Sequence, residues 1–454
     1  LLLGDEKTMV NGLAIDSREV DPGAAFVAFV GSNVDGHAFV AAALAKGARA
    51  LIVTRDSEQV REAISASRRH DVALVLVSDA TATVQSLATA HRSRLMCPVV
   101  GVTGSMGKTT TKDFLRSVLG TRMNVVATEG NRNNELGVPL TIMQAGADTG
   151  VLVVEMAMRG PGQIEALTRI VQPTCGLVTN VGVSHVEVLG SERAIADAKA
   201  ELVQAVPADG RVFLNSDDAW SATLRDSAEA AVTLYGLSDG ADVRAVDITV
   251  DDSGNAAFTI VCEQGSERAV LPVPGRHNVY NALAAAGVCL YLKLSLSEVV
   301  VGLESARMTG MRMEVFESAS GITVINDAYN ANPTAMRAAL ATLGEIRAEG
   351  RRIAVLGDMA ELGTLSELAH FDLGSVVAGS GADVLVTVGP LAKRIADGAL
   401  AAGMPVEDVR PCATSEEASE VLDDLLAFGD VVLVKASRVM GLERIVDGIV
   451  EAHV

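Results

Sequence analysis

The stretch Thr103-Gly104-Ser105-Met106-Gly107-Lys108-Thr109-Thr110 constrains the fold of this chain more than any other. It follows the apolar run Val99-Val100-Gly101-Val102, opened by Pro98, and a helical pattern begins near Thr110. A strand, a glycine-bearing loop and a helix in that order form a phosphate-binding loop. Gly104 and Gly107 let the backbone curl until its N–H groups face one point, and the helix N-terminus adds partial positive charge there. Lys108 supplies a full charge for β and γ phosphate oxygens, and the Thr109 hydroxyl can join a magnesium shell. Ser105, Met106 and Thr110 complete the cradle. Val102 stands where the commonest form of the motif has its first glycine, so the pattern is the narrower T-G-x-x-G-K-T-T. No N-K-x-D element of the kind that selects guanine occurs, which points to ATP with magnesium.

With 454 residues the chain is long enough for about three domains. The expected class is α/β throughout. Residues 1–96 read as a small α/β unit, with β-like runs at Ala25–Val30, Ala50–Val53 and Ala73–Val77 between Ala-rich helices and a last helix ending near Arg94. Residues 97–312 read as the central nucleotide domain. Its runs Val99–Val102, Val151–Val154, Gly176–Thr179 and Val212–Leu214 are near-continuously apolar, as parallel strands buried on both faces are. Between 243 and 273 the pattern alternates, which predicts an antiparallel meander added to that sheet. Residues 313–454 repeat strand and helix at Ile322–Ile325, Ile353–Leu356, Val384–Val388 and Val431–Val434, a Rossmann-like unit.

A net charge of −20 argues against nucleic acid and anionic membranes as partners. The apolar runs are strand-sized, well short of the roughly 20 residues that span a bilayer. The five scattered cysteines, without a C-x-x-C, read as reduced core residues, which suits a cytoplasmic protein.

Val151-Leu152-Val153-Val154-Glu155 ends a buried strand on an acid and makes Glu155 the first candidate for magnesium. Three further clusters are dense in polar residues: Gly130-Asn131-Arg132-Asn133-Asn134-Glu135, Asn180-Val181-Gly182-Val183-Ser184-His185 and Gly275-Arg276-His277-Asn278-Val279-Tyr280-Asn281. Asparagine also caps turns, so each alone says little. Together with the phosphate loop they resemble the Mur ligase superfamily. That resemblance implies that Glu155 and His185 bind magnesium. It also implies that Lys199, 44 residues beyond Glu155, is carbamylated and helps hold a second ion. It places adenine and ribose contacts on Asn278, Asn281, Arg312 and Asp327.

The outer segments refine the resemblance. Asp16-Ser17-Arg18-Glu19-Val20-Asp21-Pro22-Gly23 is similar to the UDP-sugar-binding part of the later-acting muramyl peptide ligases, with Ser17 and Arg18 suited to uridine and pyrophosphate. Asp327-Ala328-Tyr329-Asn330-Ala331-Asn332-Pro333 and Leu356-Gly357-Asp358-Met359-Ala360-Glu361-Leu362-Gly363 resemble the branch that adds D-alanyl-D-alanine to a UDP-muramoyl tripeptide. Lys435-Ala436-Ser437-Arg438-Val439-Met440 resembles that branch's K-G-S-R-x-M, with alanine for glycine. On this reading Asn131, Asn133, Asn134, Asn330, Asn332 and Lys435 contact substrate, the chain is a monomer, and the reaction runs through an acyl phosphate. The alternatives are the family's ligase for the third amino acid and, in a different class, a P-loop kinase or ATPase.

Overall fold

The computed structural model describes residues 3–31, 34–67, 71–182 and 186–452. Strands β1 (Leu13–Ala14), β2 (Ala25–Val27), β3 (Ala50–Val53) and β4 (Ala73–Leu76) form a small parallel sheet in that order. The second run stops at Val27, short of Val30, because the chain doubles back at Gly31: Gly31 N–H donates to Val34 O and Gly36 N–H to Phe29 O.

The central sheet contains β5 (Val99–Thr103), β6 (Val125–Ala127), β7 (Val151–Glu155), β8 (Cys175–Val178), β9 (Arg211–Asn215), β10 (Ala231–Gly236), β11 (Val243–Val250), β12 (Asn255–Cys262) and β13 (Gly265–Pro274). Their order is β13-β12-β11-β10-β9-β8-β5-β7-β6. The pairs from β6 through β11 are parallel, and β11, β12 and β13 form the expected antiparallel meander. Strand β5 lies between β7 and β8, so successive connections leave it in opposite directions. That is the switch point at whose strand ends a crevice opens.

The third sheet holds β14 (Glu314–Glu317), β15 (Thr323–Asn326), β16 (Arg352–Gly357), β17 (Val384–Val388), β18 (Val409–Cys412) and β19 (Val431–Lys435), ordered β14-β15-β19-β16-β17-β18. It is parallel except for β14, an antiparallel edge strand that sequence reasoning did not foresee. Its own switch point brings the ends of β15, β19 and β16 together.

The helix Lys108–Gly120 begins two residues earlier than expected, directly on the phosphate loop. Phe114, Leu115, Val118 and Leu119 on its inner face are fully buried. At roughly 1.5–3 kcal/mol for each such side chain, that burial fixes where the helix N-terminus points. One apolar cluster runs without a break from Val100, Phe114 and Leu283 through Met313 to Ile325, Leu343 and Leu385, so the central and third domains share a core. The first domain is fastened by its helix Ala80–Arg92. Arg92, buried, donates to Val171 O and Gln172 O at the C-terminal end of the helix Gln163–Val171, where carbonyls favour a cation, and to Leu95 O on its own segment. All five cysteines are free; Cys175, Cys289 and Cys412 are buried, while Cys97 and Cys262 are only half-buried and correct the expectation of five core residues. Among the described residues, no helix is long and apolar enough to cross a membrane.

Candidate active site

The crevice at the end of β5 opens into a cavity of about 870 Å³ walled by all three domains: Gln85 from the first, the phosphate loop from the second, and Asp327 to Asn332 with Lys435 to Val439 from the third. Its floor is the loop 104–107. Gly104 has φ +149° and Gly107 φ +78°, and a Cβ on either would press on Thr179 or Asn281. Only glycine lets the backbone pass that close. Asn180 pins the loop from the β8 side, accepting from Met106 N–H at 3.0 Å and donating to Met106 O at 3.2 Å. Ser105 Oγ donates to Gly182 O and accepts from Gly182 N–H, both at 2.9 Å. Lys108 Nζ donates to Gly104 O at 2.7 Å. Burial pushes its ammonium below the ordinary lysine value, with Glu155 opposing and Arg312 adding to the shift.

Glu155 ends β7 fully buried, accepting from Thr109 Oγ1 at 2.9 Å and from Asn133 Nδ2 at 2.7 Å. A pair of oxygens about 2.9 Å apart matches adjacent corners of an octahedron with bonds of about 2.0–2.1 Å, so Thr109 and Glu155 fit a magnesium ion between them. Phosphate oxygens and water would complete the shell. Among the described residues, no group of three or more His, Cys, Asp or Glu is placed to hold a metal by itself. His185 lies outside the described residues. Lys199, on the helix Glu192–Ala205, does not line the cavity but sits buried behind it. Burial pushes its amine well below the ordinary lysine value, nearby Lys108 adds to that, and Asp218 opposes.

The remaining expected residues divide. Thr110, Asn131, Asn278, Asn281, Arg312, Asp327, Asn330, Asn332 and Lys435 line the cavity. Asn281 Nδ2 donates to Asn278 Oδ1 and its Oδ1 accepts from Thr111 Oγ1, so this pair also braces the phosphate-loop helix. Asn332 caps the helix Pro333–Glu345, and Asn134 accepts from the Gly137 N–H that opens the helix Gly137–Met143, as well as facing the space. Lys435 Nζ is spent on Asp327 Oδ2 at 2.5 Å and Asn330 O at 2.9 Å. Ser17 and Arg18 stand outside the cavity, and Arg18 is exposed and paired with Asp16 at 2.6 Å.

Two contributors, Tyr329 and His277, escaped the sequence reading although their segments stood out in it, and the expected Arg312 shows an unforeseen feature. Tyr329 lies under the Arg312 guanidinium, 4.2 Å from centre to ring. Arg312 Nε is buried without a hydrogen-bond partner, an orphaned donor facing a space in which an anion would satisfy it. His277 also lines the cavity, and burial lowers its pKa to about 4, so its imidazole is neutral at pH 7.

Comparison with known proteins bears directly on this arrangement. A family model described as "Mur ligase family, catalytic domain" matches residues 9–92, "Mur ligase middle domain" matches 102–289 and "Mur ligase, glutamate ligase domain" matches 311–438. A UDP-N-acetylmuramoyl-tripeptide--D-alanyl-D-alanine ligase of Bacillus subtilis is 36% identical, over 98% of this chain and 94% of its own length. That of Escherichia coli is 31% identical, over 97% and 94%. A crystal structure of MurF from Acinetobacter baumannii superposes with a TM-score of 0.86 at 30% identity, covering 98% of this chain and 94% of that one. A MurF from Thermotoga maritima in complex with ADP gives 0.81 at 28% identity, covering 98% and 99%.

Proposed function

The chain belongs to the Mur ligase family, and on that basis we propose that it joins D-alanyl-D-alanine to UDP-N-acetylmuramoyl-tripeptide at the expense of ATP. This completes the pentapeptide of the peptidoglycan precursor in the cytoplasm. The observation that carries the reading is a single cavity in which Lys108 and Glu155 face Arg312 and Asp327, in a chain similar from end to end to ligases of that name. Residues 1–96 hold the UDP-sugar, 97–312 the ATP and 313–454 the incoming dipeptide. Ser17 and Arg18 meet uridine and pyrophosphate, for which Arg18 exchanges its bond to Asp16.

A carboxylate resists nucleophiles because it is anionic and would have to expel oxide. Activation removes both obstacles. A terminal carboxylate oxygen of the tripeptide bonds to the γ phosphorus, the bond from that phosphorus to the bridging oxygen breaks, and ADP departs with the electron pair. Lys108 and the N–H groups of the loop offset the charge on the transferring group. The dipeptide's amine then bonds to the acyl carbon, the carbon–oxygen bond to phosphate breaks, and the amine's surplus protons pass to solvent. Thr109 and Glu155 would hold magnesium, which would supply positive charge at the β and γ oxygens.

Lys199 fits the carbamate role. A neutral amine adds carbon dioxide and releases a proton, and burial beside Lys108 favours the neutral form. The product anion would replace repulsion from Lys108 by attraction and, with His185, would offer oxygen and nitrogen ligands to a second ion. Domain closure keeps water from the acyl phosphate. To test the assignment, ATP, UDP-N-acetylmuramoyl-tripeptide and D-alanyl-D-alanine are supplied together and the pentapeptide product is sought by mass. ADP release that ignores the dipeptide would instead identify a kinase or ATPase.

A further inference from the structure

The chain leaves the central domain after the helix Leu296–Glu304 and enters the third at β14, and residues 305–313 between them have no regular structure. Arg312 stands near the end of that segment. The residues on either side of it, Met311 at φ +60° and Met313 at φ +52°, have left-handed backbone, which a residue carrying a Cβ adopts at a cost. Such turns persist only where the surroundings impose them. The direction in which Arg312 is presented therefore depends on what holds this segment.

Both domains hold it. From the third, Tyr329 N–H donates to Met311 O and Met313 N–H donates to Asp327 Oδ1, each at 3.3 Å. From the central domain it is Asp113, on the helix Lys108–Gly120, that takes hold. Its Oδ2 accepts from Thr309 N–H at 2.8 Å and its Oδ1 from Thr309 Oγ1 at 3.1 Å, so both carboxylate oxygens grip one residue. Asp113 and its neighbour Lys112 are buried, and Lys112 Nζ lies 3.0 Å from Asp113 Oδ1. A buried ion pair is a weak source of net stability, because desolvation offsets the attraction. Stability alone therefore does not account for it. Neither Asp113 nor Thr309 lines the cavity, and the reaction as described gives them no part. Yet Asp113 lies on the helix whose first turn carries Lys108 and Thr109, and Thr309 lies three residues before Arg312.

We propose that Asp113 is a positioning residue for the nucleotide site: through Thr309 it fixes the segment that presents Arg312, and so sets that guanidinium against the Lys108 and Thr109 of its own helix. Arg312 is thereby ordered before the nucleotide arrives, which favours affinity. This rests on the reading that the cavity binds ATP with Arg312 in contact.

Replacing Asp113 would leave Lys112 buried without its partner and destabilise the chain whatever its role. The bond is therefore removed from the other side. The full chain is compared as wild type, Thr309→Val, Thr309→Ser, Arg312→Ala and Thr309→Val/Arg312→Ala, by calorimetry with ADP and magnesium, by Tm, and by KM for each substrate. Thr309→Val keeps the shape and the N–H bond but loses the hydroxyl. It should raise the Kd for ADP and the KM for ATP about tenfold, the low end for a lost bond to a charged group, and leave KM for UDP-tripeptide and dipeptide within about twofold. Thr309→Ser, which keeps the hydroxyl, should bind ADP as wild type does. In the Arg312→Ala background Thr309→Val should weaken ADP no further, since the group it positions is gone. The assignment is overturned if Thr309→Val lowers Tm without moving the Kd, if it weakens ADP equally with and without Arg312, or if Thr309→Ser is no better than Thr309→Val. A wild type that does not bind ADP, or an Arg312→Ala variant that binds it undiminished, would instead overturn the nucleotide reading beneath it.

Discussion

Lys199 is buried among apolar neighbours on the helix Glu192–Ala205, and burial together with Lys108 depresses the pKa of its amine. A carbamate there should appear as a new carbonyl resonance when the protein is equilibrated with 13C-bicarbonate, absent from Lys199→Ala. That variant should lose activity at least about a hundredfold, as removal of one electrostatic element of such sites does, and regain part of it with acetate or formate. Full activity without rescue would remove the carbamate. His277 supports a separate expectation about stability. Burial lowers its pKa to about 4, Lys435 adds to the shift, and Asp327 opposes it. The unfolded chain binds this proton below about 6.5 and the folded chain only near 4, so stability falls as pH drops through that window and is unaffected above it. The loss across the whole window is on the order of 3 kcal/mol. Urea unfolding followed by the emission of Trp220, the one tryptophan in the chain, should show a larger decline from pH 7 to pH 5 in wild type than in His277→Gln. Equal declines would assign the sensitivity elsewhere.

The phosphate loop and its flanking elements were legible in the sequence because one short segment must contain all their chemistry. Glycine where φ is positive, lysine at the helix start and a fully apolar strand behind are local requirements. The same holds for Val384–Val388, where a run apolar but for Thr387 gives the strand limits correctly. Contacts between distant segments were not legible. Nothing near Arg312 announces the ring of Tyr329 beneath it, and nothing near Asn180 says that its amide grips Met106. Asn134 and Asn332 show the opposite difficulty, since one residue type both caps helices and faces the cavity. Lys199 would read as a solvated helix lysine without the family resemblance, because burial depends on what packs over the helix. For the loop itself, Gly104→Ala should weaken ADP binding at least about tenfold by calorimetry. A Cβ there displaces Thr179, whose Oγ1 donates to Met106 O at 2.6 Å, and strains the backbone by on the order of 1–3 kcal/mol. Gly120→Ala provides the contrast, at the far end of the helix that follows the loop and with open space around it. It should keep ADP affinity and gain about 0.4–1 kcal/mol in stability. Equal ADP affinity in the two variants would show that the close approach at Gly104 does not shape the site.

Across the whole molecule the first domain is held to the second by Arg92, and also by Arg132, which donates to both Glu19 carboxylate oxygens at 2.7–2.8 Å. The third domain meets the second on two sides of the cavity. On one, Arg347 N–H donates to Asp252 O at 2.9 Å and Ile346 packs against Gly254, continuing the shared core. On the other, the contacts among the described residues lie at the surface and include the exposed Arg159–Glu361 pair, worth under about 1 kcal/mol, and the turn at Gly363 against Glu187. This asymmetry assigns the hinge to the Ile346 side and the mouth to the Gly363 side. A Cβ on Gly363 would lie 3.0 Å from that of Glu187, close to the 3.5–4.5 Å a disulfide spans. In a Glu187→Cys/Gly363→Cys protein, oxidation should join the two domains at the mouth and stop multiple turnover, because products must leave through it. Dithiothreitol should restore turnover to the level of the reduced protein, and neither single cysteine variant should respond. Undiminished turnover with the cross-link verified by mass would mean that substrates and products pass without the mouth opening, and the cavity would then need a second entrance.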